Sequence, residues 1–146
     1  MNLTEHFTDA ELGVVGCDAQ LVENARYICQ EILEPIRTKF GPVRVHDGYR
    51  DPGHNTRVGG KPDSFHLFEW GRAAVDIDAQ YVAVQDLFDW LRLESKLPFD
   101  KVIMESNSRG TPATVHIQVD RLNPPRRLAY TGHTGNGETY LPQSVA

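Results

Sequence analysis

The sequence predicts an α+β domain, a small and mainly antiparallel sheet packed with helices. Three observations carry that expectation. Residues 20–40 place apolar side chains at three-four spacing, as an amphipathic helix does. Four short segments, 43–47, 73–79, 101–105 and 114–120, alternate or run apolar like strands. The last two of these flank Gly110-Thr111-Pro112, a turn that makes them a hairpin. At 146 residues the chain is long enough for one domain with a real core.

Taken in order, the opening "MNLTEHFTDAEL" has no basic start and no apolar centre, so it does not read as a signal peptide. The first helix follows, with Leu21, Val22, Ala25, Ile28, Cys29, Ile32, Leu33, Ile36 and Phe40 on its apolar face. Asp18 is its candidate N-cap and Gly41-Pro42 its stop. Pro35 falls inside and predicts a kink or a break in the last turn. "VRVHD" is the first strand, and "GYRDPGHNTRVGGKPDS" is a loop with room for a short helical turn. "AAVDIDA" is the second strand, residues 82–96 the second helix, and "KVIME" with "TVHIQVD" the hairpin. After Asp120 the chain is rich in Pro, Gly and Thr, and the plain alternative to a functional role for this tail is a surface meander. There are no repeats and no second domain.

Bulk properties exclude several functions. The formal net charge is −5 and the basic residues are scattered apart from Arg126-Arg127, so no nucleic-acid partner is expected. No apolar run approaches the roughly 20 residues that span a bilayer, so no membrane partner is expected either. Cys17 and Cys29 could pair, but Cys29 lies on the apolar helix face, which favours a buried free thiol.

Strand parity then gathers the chemistry. In "TVHIQVD" Val115, Ile117 and Val119 point one way and His116 and Gln118 the other. In "AAVDID" Asp76 and Asp78 oppose Val75 and Ile77. In "KVIMES" Ile103 and Glu105 share the face opposite Val102 and Met104. With the apolar faces turned to the core, Asp76, Glu105 and His116 line one polar face, and His66 enters from the loop ahead of it. Two histidines and one carboxylate form a recurring catalytic zinc set, and a carboxylate off the metal can act as general base. A lone histidine on a strand is more often a hydrogen-bonded structural residue, and the H-E-x-x-H helix, a stronger metal signature, is absent.

The ordered series "VHDGYRDPGHNTRVGGKPDSFH", "GRAAVDI", "FDKVIMES" and "TVHIQVD" resembles the D-alanyl-D-alanine carboxypeptidase family of zinc peptidases, with its hedgehog-like fold. It is most similar to the small phage and prophage branch, whose opening "LTEHFTDAEL" and helix end "ILEPIRTKFG" also match. The resemblance covers residues 1–120 and leaves 121–146 as a C-terminal extension. It implies Zn2+ held by His66, Asp76 and His116, with Glu105 as the catalytic base. It implies Arg50 as the receiver of a substrate carboxylate and Ser64 as a substrate contact. Tyr49 and Asn55 are counted on the substrate side because they shape the loop, and Gly59-Gly60 form the turn into the site. For Arg50 the residues alone suggest instead an ion pair with Asp47 or Asp51.

Two departures from the family pattern stand out. From His66 to Asp76 is ten positions, longer than the family's H-x-x-G-x-A-x-D, and the extra residues fall in "LFEWGRAA". Phe68 and Trp70 there are either core or an aromatic wall beside the substrate. Three residues before the last ligand, where many members carry an acidic residue or a histidine, stands Ala113.

The expected function is zinc-dependent hydrolysis of a peptide bond at or near a D-amino acid in bacterial peptidoglycan, in a phage-associated setting. The chain would be made in the host cytoplasm and reach the wall through phage lysis or as part of a virion. The extension is a candidate contact for phage structural proteins. The alternative is a catalytically inactive, peptidase-like component of a phage virion or tail. A third reading is a zinc-holding binding module.

Overall fold

The computed structural model describes residues 1–133 and 140–146. Part of the Gly- and Thr-rich tail noted above, 134–139, lies outside the described residues. The elements are α1 (Asp9–Leu12), α2 (Ala19–Ile28), a π-helical segment (Cys29–Leu33), α3 (Glu34–Phe40), β1 (Val43–Asp47), α4 (Pro52–Arg57), a 3-10 turn (Phe65–Leu67), β2 (Arg72–Ala79), α5 (Val84–Leu93), β3 (Lys101–Ser106), β4 (Pro112–Asp120), β5 (Leu128–His133) and β6 (Leu141–Gln143). The strands form one sheet in the order β1-β2-β4-β3-β5-β6. Its ladders are antiparallel except β3 with β5, which is parallel. The α+β architecture and mainly antiparallel sheet are as the sequence predicts.

One face of the sheet is the core. Val75 and Ile77 of β2, Val115 and Ile117 of β4 and Val102 of β3 are fully buried. They pack with Ile28, Ile32 and Ile36 from the first helical run and Leu87, Phe88 and Leu91 from α5 in one apolar cluster. Burial of a Leu, Ile or Phe side chain contributes about 1.5–3 kcal/mol, so this face is where the sheet is anchored.

Asp18 caps α2 by accepting from the Leu21 N–H at 3.1 Å. Pro35 does not break the run. A π turn stands just ahead of it, closed by the Glu34 N–H on the Cys29 carbonyl. A proline ring crowds the carbonyl four residues back, here Glu31, and the wider turn makes room. Gly41 ends the run with φ 86°.

The second helix is shorter than the 82–96 expected from its pattern. It stops at Leu93, Lys96 takes a left-handed φ of 54°, and Pro98 follows. The residue ahead of a proline is pushed away from helical angles, so apolar spacing overruns the end. Cys17 and Cys29 are both free thiols, and burial pushes the Cys29 thiol up.

The segment after Asp120 differs from a meander. β5 pairs with β3 along Lys101↔Leu128 to Ser106↔His133, and β6 adds to its outer side. Among the described residues no helix is long and apolar enough to cross a membrane.

Candidate metal centre

The second face of the sheet carries the polar residues. Asp76 stands directly opposite His116, and His116 opposite Ile103. Glu105 lies two pairs further on, opposite Thr114. Paired residues share a face, so Asp76, His116 and Glu105 lie together as the alternation predicts. Glu105 is close enough to His116 for its charge to favour the imidazolium.

His66 comes from outside the sheet. Ser64 starts its 3-10 turn by accepting the His66 N–H at 3.2 Å. The His66 ring, buried, sets its Nδ1 2.7 Å from the Gly48 carbonyl oxygen. A carbonyl only accepts, so Nδ1 carries a proton, and Nε2 is the nitrogen that has the lone pair in the neutral ring. Gly48 is required for this placement, because a Cβ there would lie 2.7 Å from the Leu12 carbonyl oxygen. The Tyr49 N–H bonds to that same carbonyl and the Arg50 N–H to the His66 carbonyl. The loop is thereby stitched to α1 on one side and to the histidine turn on the other.

The three groups converge. His66 Nε2 lies 3.5 Å from Asp76 Oδ2, and His116 Nδ1 lies 3.0 Å from Asp76 Oδ1. One ligand atom from each of the three falls within 4.8 Å of the others. Ligands at zinc distances in a tetrahedron are about 3.3 Å apart, so these three residues are near enough to hold one cation among them. The electrostatics agree. Burial raises the Asp76 carboxyl, but the His116 and His66 rings facing it outweigh that and hold the group well below the usual carboxylate range. Burial pulls the His116 imidazole down, and its hydrogen bond to Asp76 pulls it further up. Both shifts follow from the pairing of Asp76 with His116.

The longer His66–Asp76 spacing is absorbed locally. Phe68, Trp70 and Gly71 all take positive φ, 53°, 54° and 75°. These tight left-handed turns fold the extra residues back without displacing His66. Phe68 is fully buried against Tyr49, while Trp70 is 66% exposed. Neither lines the cavity above the triad, so the aromatic wall is not formed by these two.

That cavity has a volume of about 820 Å³. His66, Asp76, His116, Ile103 and Glu105 form its floor. The 58–65 loop closes one side, and Arg126, Tyr130 and Tyr140 from the C-terminal extension line another. Ser64 lines it, as does Arg50. Arg50 is also ion-paired with Asp47, through Nε at 2.8 Å and Nη2 at 2.7 Å. Asp51 instead caps α4. Tyr49 and Asn55 are not on the cavity wall. Asn55, buried, donates to the Lys61 carbonyl at 2.8 Å and faces Arg50 Nη1 with its Oδ1. A Cβ at Gly60 would collide with that side chain, 2.0 Å from its Oδ1. Asn55 thus supports the loop from behind, and Tyr49 packs edge-on against Phe68.

A family model described as Peptidase M15 matches residues 2–117. The chain belongs to the peptidase M15 family. This is the family of D-alanyl-D-alanine carboxypeptidase-like zinc peptidases that the motif series resembles, and a His–Asp–His cluster is present here. No curated protein matches the chain closely enough to add a relative. The M15 match ends at Ile117, ahead of Gln118, β5 and β6. Arg126, Tyr130 and Tyr140 of the cavity wall therefore lie beyond the family match. Sequence reasoning did not place them at the site; the signals there were the Arg126-Arg127 pair and a tyrosine in "RLAYTG".

Proposed function

We propose that this chain is a phage-associated, zinc-dependent peptidase that cleaves an amide bond at or near a D-amino acid in bacterial peptidoglycan. The observation that carries the proposal is the convergence of His66, Asp76 and His116 on the floor of a groove that also holds Glu105. Family membership supports peptidase chemistry. Zinc, when bound, supplies a Lewis acid for the scissile carbonyl and makes a neighbouring water more acidic.

The chain's own residues do the rest. His66 and His116 each offer one lone pair, and Asp76 offers the negative charge that balances the cation. A Glu105 carboxylate oxygen takes the proton of the attacking water and returns it to the leaving amine. Arg50 receives a substrate carboxylate. Its Nε and Nη2 are held by Asp47, which stops the side chain from swinging, and N–H groups remain for the substrate. Ser64 lines the groove beside His66 and gives a hydroxyl to the peptide backbone.

The test is digestion of purified peptidoglycan with zinc supplied or chelated, read by mass spectrometry. New peptide ends that vanish with chelator are expected. Zinc bound without cleavage would favour a binding module. Neither zinc nor cleavage would favour an inactive virion or tail component.

A further inference from the structure

Beyond the three ligands, a buried chain of hydrogen bonds runs away from His116. Its Nε2 lies 2.9 Å from Gln118 Oε1. Gln118 Nε2 donates to Asp100 Oδ2 at 2.7 Å. Asp100 accepts a two-point contact from Arg126, Nε to Oδ1 at 2.6 Å and Nη2 to Oδ2 at 2.7 Å. Gln118 and Asp100 are only 5% and 4% exposed. Resting on the zinc-peptidase reading, we infer that Gln118, Asp100 and Arg126 are positioning residues that set the tautomer of His116 and aim its Nδ1 lone pair at the metal.

The argument follows from what each group can do. A guanidinium only donates, and an ionised carboxylate only accepts. Arg126 therefore fixes Asp100 as an acceptor, and Asp100 must face the amide NH₂ of Gln118. The amide oxygen is left facing His116, so Nε2 must carry the ring proton. That leaves Nδ1, 3.0 Å from Asp76 Oδ1, as the nitrogen whose proton a metal displaces and whose lone pair it then takes. If Gln118 were turned over, its NH₂ would meet Nε2, the ring proton would move to Nδ1, and it would occupy the metal's place. Outer groups of this kind raise ligand basicity and hold ring orientation. His66 gets the same service from the Gly48 carbonyl, within the family match. For His116 the last link, Arg126, comes from the segment between β4 and β5, beyond that match. The C-terminal extension thereby reaches the metal site.

The experiment uses the full chain. Zinc affinity is measured by competition with a chromophoric chelator for wild type, Asp100→Asn, Gln118→Leu and Arg126→Met. Long-range proton–nitrogen spectra of the zinc-loaded wild type read the tautomer directly. The spectra are expected to place the His116 proton on Nε2 and the metal on Nδ1. Asp100→Asn and Gln118→Leu are expected to weaken zinc binding about 10–100-fold. Asp100→Asn acts by giving Gln118 a donor to turn towards. Arg126 is 56% exposed at its side chain, so Arg126→Met keeps the fold, and a smaller loss of affinity there is not explained by unfolding. A proton on Nδ1 in the zinc-loaded protein overturns the inference, as do three variants with wild-type affinity. Zinc binding without peptide cleavage overturns the peptidase reading alone, while a wild type that takes no zinc overturns both.

Discussion

Glu105 is where the proposed chemistry is most exposed to test. It stands two residues along β3 from Ile103, which faces His116 across the ladder. Ala113, at the position where many family members carry an acidic residue or a histidine, has no group that takes a proton. Asp100 is committed to Arg126 and Gln118. Glu105→Gln is expected to keep the fold and zinc binding and to lower turnover about 10²–10⁴-fold, the usual contribution of a positioned acid–base group. Metal content and hydrolysis rate, measured on one preparation, decide it; a zinc-loaded Gln variant with wild-type turnover places the base elsewhere. Arg50 carries the second prediction at this scale. Lysine at that position can keep one contact to Asp47 but cannot offer a planar fork. Arg50→Lys is expected to lower kcat/KM with little change in Tm, and equal activity would reduce Arg50 to an ion-pair partner of Asp47.

Among the elements, the first helical run shows how a polar tie holds an apolar one. Glu34, the first residue of α3, accepts from Thr4 Oγ1 at 2.7 Å and from the His6 N–H at 2.8 Å, and pairs with His6 Nδ1 at 2.6 Å. This fastens the N-terminal segment, whose Leu3 and Phe7 are buried, over the π turn. Burial raises the Glu34 carboxyl, but the His6 and Thr4 hydrogen bonds more than offset that and hold it below its ordinary 4.5. A carboxyl lowered on folding stabilises the native state above its unfolded pKa, and the effect is lost as pH falls through the folded value. Tm should therefore be higher for wild type than for Glu34→Gln above about pH 4.5, with the two curves converging in more acid solution. A constant gap across that range would mean the side chain acts by packing alone.

For the whole molecule, the question is whether residues 1–120 suffice. β5 covers the outer side of β3 along six residue pairs, buries Ala129, and brings Arg126 onto buried Asp100. Removing residues 121–146 uncovers that edge and leaves the Asp100 charge with Gln118 and no counter-ion from this segment. Stranding a buried charge costs about 3–5 kcal/mol, less here because Arg126 is half exposed. The truncated chain is expected to melt about 10 °C lower and to bind zinc more weakly. A truncation with unchanged Tm and zinc affinity would make the extension an independent appendage.

Much of this was readable from the residues. The helical run, four of the strands and the shared face of Asp76, Glu105 and His116 all follow from periods of 3.6 and 2, which are properties of the local backbone. The motif order carried the family and His66. A short helix α1 is equally encoded locally, since Thr8 and Glu11 form a capping box in "TDAE". Other features depend on contacts between distant parts of the chain. β5 has little pattern of its own and exists because β3 offers an open edge to pair with. The roles of Asn55 and Tyr49 behind the loop depend on which side of it packs inward. The tautomers of His66 and His116 depend on a carbonyl 18 residues away in one case and on a relay through Asp100 and Arg126 in the other. Local spacing encodes which way a side chain points; which atoms it meets is decided only when the segments close on one another.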